Sequence, residues 1–177
     1  MQKQYQPIKR SRQLATLSRE HHEDLLFVWK IKQGIAFDIP AKRIANYCEW
    51  FWENKLKDHF SKEEHALGTL LPVDDHLINT MMEDHQAITR KMEEVINDAS
   101  YFSLQRLSQI LYHHIRFEER NLFTHIQQVV PTDKLNEAAA ILETTPKKKA
   151  IWQDEFWVRS PQTAVQKNVT LGHDEVR

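Results

Sequence analysis

Apolar residues recur three and four apart over four long stretches of the chain, separated by short polar or proline-bearing breaks. They are Leu25, Leu26 and Trp29; Ile44, Tyr47 and Phe51; Ile78, Met82, Ile88 and Met92; and Leu107, Ile110, Leu111 and Ile115. This is the period of an amphipathic helix burying one face. The first helix is predicted from Ser18, as N-cap, to Gly34, as C-cap. The second follows Pro40 and runs to about Gly68. The third follows Pro72, with Asp74 or Asp75 as cap, and ends near Ala99. The fourth starts at Ser103 and stops at Pro131, which cannot continue a helix. Short connections make successive helices antiparallel, so the predicted fold is an all-α, up-down-up-down four-helix bundle. Residues 132–143 read as a short fifth helix, and Trp152, Phe156 and Trp157 as an aromatic segment docked on the bundle surface.

The predicted organisation is a basic polar N-terminal tail at 1–13, one domain at 14–160 and a flexible tail at 161–177. Within that domain the bundle covers about 14–130 and the C-terminal helix and docking segment cover 131–160. A chain of 177 residues with 3 glycines, 41% hydrophobic and 28% charged residues suits one helix-rich domain. A net charge of −1 offers no global basic field for nucleic acid or an anionic membrane. No apolar run reaches the roughly 18 residues of a membrane span. Cys48 stands alone, so no disulfide forms within the chain. A cytoplasmic protein is expected, without nucleic-acid or membrane partners.

Ten histidines change that bland picture. His59 and Glu63 are four apart, as are His114 and Glu118. That spacing puts imidazole and carboxylate on one helix face, with Cβ atoms about 6 Å apart. Such a donor set suits iron or manganese and is acceptable to zinc. The two stretches also align as a repeat: His59, Glu63, Glu64 and Leu67 against His114, Glu118, Glu119 and Leu122. Less strongly, Glu20, His22 and Leu25 echo Glu83, His85 and Ile88. Spacing alone leaves two readings open, a buried metal site and solvated surface pairs.

The stretches Leu17-Ser-Arg-Glu-His-His-Glu, His59-Phe-Ser-Lys-Glu-Glu, Glu83-Asp-His85 and His114-Ile-Arg-Phe-Glu-Glu-Arg-Asn-Leu-Phe resemble the bacterial hemerythrin-like HHE cation-binding family over roughly residues 14–130. The resemblance implies four helices around a non-haem di-iron centre, with two iron ions per chain and zinc or manganese as possible substitutes. It implies His22, His59, His85 and His114 as terminal ligands and Glu63 and Glu118 as bridges. His21 competes with His22, and His22 is preferred because Leu25 and Leu26 follow it at three and four. Glu64 and Glu119 are expected beside the ligands or at the surface, and His125 is the foremost candidate among the remaining histidines. Oxygen-carrying members have a further histidine where this chain has Met81. Four histidines and two bridging carboxylates then make about eight bonds to ions that together seek about twelve.

The expected function is non-catalytic: binding or sensing oxygen or nitric oxide, or buffering iron. The alternative is a di-iron oxidoreductase acting on peroxide or nitric oxide, or an iron donor for the repair of damaged centres. A helical adaptor without metal is the third reading.

Overall fold

The computed structural model describes residues 9–143 and 151–159. A 3-10 turn at Arg12–Leu14 leads into α1, Ala15–Ala36. Helices α2 (Ala41–Phe51) and α3 (Lys57–Leu67) form one continuous rod through a π-helical turn at Trp52–Leu56. Helix α4 spans His76–Asn97. Helices α5 (Tyr101–Phe117) and α6 (Phe123–Val129) again join through a π turn, Glu118–Leu122. Helix α7, Thr132–Leu142, completes an all-helical bundle with no strand among the described residues.

The ends follow from local chemistry. Pro40 precedes α2, and the Asp75 carboxylate accepts from the Leu77 and Ile78 amides at the start of α4. Ser100, not Ser103, caps α5: its hydroxyl accepts from the Ser103 amide, and Ser103 Oγ accepts from the Ser100 amide in return. Helix α1 overruns both of its predicted ends. Ser18 lies inside it and donates to Glu119 Oε1 at 2.7 Å, and Gly34 lies one turn short of a Phe37–Asp38 corner where Asp38 has φ 56°. Gly34 is there for close packing, since a Cβ would come within 2.8 Å of both Ile44 Cδ1 and Phe156 Cε2.

Helix α1 packs on α5, α5 on α4, α4 on α2 and α3 on α7. Their apolar faces make two separate clusters. One contains Phe27, Val28, Ile31, Leu56, Phe60, Ile88, Leu111 and Ile115. The other contains Leu14, Leu17, Ala66, Leu67, Ile78, Met81, Leu122 and Phe123. Along α1 the chain passes from the second cluster to the first, along α2–α3 from the first to the second, and the alternation repeats in α4 and in α5–α6. Each rod carries its buried histidine and acidic residues between the two: His21 and Asp24, His59 and Glu63, His85, and His114 and Glu118.

Trp152, Phe156 and Trp157 of the aromatic segment all pack against Tyr47, and Phe156 is itself buried in the first apolar cluster. Part of the expected N-terminal tail is anchored: Arg10 meets Glu119 at 2.6 Å and the Ser11 amide donates to Gln127. Residues 1–8 of that tail, and the expected flexible tail at 161–177, lie outside the described residues. No described helix is long and apolar enough to cross a membrane.

Candidate metal centre

Helix α1 faces inward along Leu14, Leu17, His21, Asp24, Val28 and Ile31, a three-four stripe with two polar residues in its middle. His21 is therefore 2% exposed, while His22 points to solvent along with the 43% exposed Leu26 and 46% exposed Trp29. The expectation that His22 joins the site is corrected by one position. Leu26, one of the two apolar residues that favoured it, lies with Trp29 on an outer apolar edge and not on the buried face.

The remaining five sequence-derived residues come together. His59, Glu63, His85, His114 and Glu118 are all buried, and both glutamates are fully so. Glu63 approaches the Nε2 atoms of His21, His59 and His85 at 3.5, 3.4 and 3.4 Å. Glu118 approaches those of His21, His114 and His85 at 3.0, 3.3 and 3.9 Å. Each carboxylate thus lies between the pair His21–His59 and the pair His85–His114. Ligand atoms of Glu63, His85, His114 and Glu118 fall within 4.8 Å of one another, as do those of His21, His59 and Glu63.

The opposite edge of each ring is tied down. His21 Nδ1 pairs with Glu119 at 2.9 Å, His59 Nδ1 with Glu20 at 2.9 Å, His85 Nδ1 with Glu64 at 2.9 Å and His114 Nδ1 with Asp84 at 3.4 Å. A carboxylate on Nδ1 fixes the tautomer that turns a lone pair on Nε2 inward and makes that nitrogen a stronger donor. Phe60 stacks on His85 with centroids 3.9 Å apart, and Phe123 stacks on His21 at 5.4 Å. Glu119 is itself held by Ser18 and Arg10.

These partners reveal the repeat in its structural register. Glu20-His21 corresponds to Asp84-His85, and the acid of each pair serves the histidine of the following rod. Glu64 and Glu119, one residue after the two inner glutamates, each serve the first histidine of the opposite half. Glu64 and Glu119, expected beside the ligands or at the surface, each hold a buried histidine, as do Glu20 and Asp84, which with Asp24 were not anticipated. The available signal was the acid-histidine dipeptide shared by α1 and α4. His65 and His113 are exposed, His76 begins α4 at the surface and His125 is half-buried outside the cluster.

Seven carboxylates, those of Glu20, Asp24, Glu63, Glu64, Asp84, Glu118 and Glu119, surround four imidazoles. Burial opposes protonation of these rings, yet the carboxylates outweigh it. Glu118, Glu119 and Glu63 raise His21 well above the usual histidine range. His59 rises to about 9 beside Glu63, Glu20 and Asp24, and His85 to about 9 beside Glu63 and Glu64. Burial likewise opposes ionisation of Glu63 and Glu119, but His59, His21 and His85 hold Glu63 low, and His21, Ser18 and Arg10 hold Glu119 at about 2. Burial pushes Asp24 up to about 6 despite His59 and His21. The interior therefore carries a strong negative field that draws in positive charge.

The residues also fit a metal cation by what they leave unpaired. Nε2 of His21, His85 and His114 and all four carboxylate oxygens of Glu63 and Glu118 are buried without a hydrogen bond, their close approaches being misaligned for one. Such groups are costly in a protein interior, at about 1–3 kcal/mol each. Donors at about 2.1 Å from a shared ion lie about 3 Å apart when adjacent, close to the shortest approaches observed here.

Fold and site together define a helical bundle whose centre could hold metal cations on histidine and glutamate. The sequence profile of the hemerythrin HHE cation binding domain matches residues 9–126, and the chain belongs to that family. Comparison with curated proteins and with solved structures returned no significant match.

Proposed function

We propose that the chain is a non-haem di-iron protein that binds or senses oxygen or nitric oxide, or buffers iron. The observation carrying this reading is the convergence of unpaired, buried nitrogen and oxygen donors from four rods on one layer between two apolar clusters. In this reading His21 and His59 would hold one ion and His85 and His114 the other, with Glu63 and Glu118 available to both. The alternating passage of the rods between the clusters supports an up-down-up-down topology, which places donors from opposite halves face to face.

An iron pair would supply open coordination positions and redox chemistry to a small ligand. The chain's own residues do the rest. Glu119, Glu20, Glu64 and Asp84 orient the imidazoles, Phe60 and Phe123 shield two of them from water, and complete burial limits access to ligands of a few atoms. Imidazole and carboxylate donors favour iron or manganese, without the thiolates that favour softer ions. The buried Cys48 thiol and the near-neutral charge fit a cytoplasmic protein without nucleic-acid partners.

Anaerobic loading with ferrous iron, followed by metal analysis and absorption spectroscopy, tests the proposal. About two iron ions per chain on nitrogen and oxygen donors is the expected result. Zinc alone, or under half an equivalent of any transition metal, would overturn it.

A further inference from the structure

We propose that Asp24 is a further metal ligand, its carboxylate binding the ion held by His21 and His59 and making the two metal positions inequivalent. The inference rests on the two-ion reading above and goes beyond it by assigning a residue to one ion only.

Asp24 lies three residues after His21 on the inward stripe of α1, is 3% exposed, and has an Oδ2 that is buried without a hydrogen-bond partner. That oxygen is 3.6 Å from Nε2 of His59. The nitrogen concerned is what separates Asp24 from the carboxylates that orient rings. Glu20 already occupies His59 Nδ1 at 2.9 Å, so Asp24 stands on the ring's inward edge, where an ion would lie. The other nearby carboxylates already have their roles. Glu63 and Glu118 sit between the histidine pairs, and Glu20, Glu64, Asp84 and Glu119 each hold an Nδ1.

The internal repeat supplies an independent comparison. In the structural register His21 corresponds to His85, so Asp24 corresponds to Ile88, which is 1% exposed and belongs to an apolar cluster. Packing at this level of the bundle is thus satisfied by an aliphatic side chain in one half. A carboxylate at the matching place in the other half is costly to bury, unless a cation lies beside it. Met81, one turn before His85 on α4, is fully buried in the opposite apolar cluster. The α1 half thus has a buried donor at a place where the α4 half has none.

The test compares the full chain with Asp24→Asn and Asp24→Ile, each loaded with iron-57 and measured by metal analysis, Mössbauer spectroscopy and chelator release. The unsubstituted protein should show two ions with distinct quadrupole doublets. In both variants one doublet should change, and one ion should be released at least roughly tenfold faster than in the unsubstituted protein. Melting of the metal-free variants should stay level or rise, whereas loss of a purely structural contact would lower it. Unchanged doublets and release rates in the variants overturn the assignment while leaving the two-ion reading intact, as does a single doublet in the unsubstituted protein. If the unsubstituted protein takes up no metal, the two-ion reading fails first and this assignment with it. Should either variant fold poorly, the other variant and the unsubstituted spectrum still decide.

Discussion

His21 and His22 are adjacent, yet a step of about 100° around the helix axis turns the first toward the centre and the second toward water. The apolar residues Leu25, Leu26 and Trp29 misdirect a reading of this helix because they border the buried stripe. The stripe itself contains His21 and Asp24, which a hydrophobicity pattern counts as polar. His21→Ala should lose at least half of the bound iron after anaerobic loading, and His22→Ala should retain nearly all of it. Equal retention in the two variants would remove His21 from the centre. The other positions were legible for a physical reason: His59 with Glu63, and His114 with Glu118, repeat one spacing in two helices, and each pair is followed by a leucine that stays buried. Glu20 and Asp84 carry only a fainter mark, the acid-histidine dipeptide common to α1 and α4, because each acts across to a neighbouring rod and no spacing within its own helix reveals the partner.

At the scale of elements, the two π turns explain why regular periodicity describes the rods only in pieces. Each turn accommodates an extra residue and widens the buried face, so that burial runs at a spacing of five, Phe51 to Leu56 and Glu118 to Phe123, as well as four, Trp52 to Leu56 and Glu118 to Leu122. A periodic pattern still finds each rod, and Pro40, Asp75 and Pro131 mark three of the ends, but it does not show the face widening at the turn. Gly34 was legible as special and misread in role, since only the packed structure brings Phe156 from far along the chain to within reach of it. Gly34→Ala should cost about 1–3 kcal/mol through overpacking, measured by urea denaturation. Phe156→Ala should cost about 3–5 kcal/mol by opening a cavity. Because the truncated ring vacates space that the new methyl needs, the double variant should be more stable than the sum of the two losses implies. Strict additivity would mean that the Gly34 contact does not govern docking of the aromatic segment.

At the scale of the whole molecule, the polar layer divides one core into two, so the stability of the bundle depends on what neutralises that layer. Glu63, Glu118 and Asp24 bring buried carboxylates into contact with four imidazoles, and several of their donor atoms have no hydrogen bond within the protein. A cation bound only by the folded chain adds stability according to its concentration relative to Kd. At a hundredfold excess over Kd one ion contributes about 2.7 kcal/mol. For a chain of 177 residues, each kcal/mol moves Tm by about 2–4 °C. Iron loading should therefore raise Tm by at least about 5 °C over chelator-treated protein, and both apolar clusters should melt together because the ion layer connects them. Replacing both inner carboxylates, Glu63→Gln with Glu118→Gln, should abolish that increment. The metal-free form of this variant should still fold, because the amides keep the shape and remove two buried negative charges. Differential scanning calorimetry of the four samples makes the comparison. Equal Tm values for loaded and chelated unsubstituted protein would show that the layer is stable on its own hydrogen bonds and ion pairs, and the link between metal and stability would be lost. An increment that survives in the double glutamine variant would place the stabilising ion outside this layer.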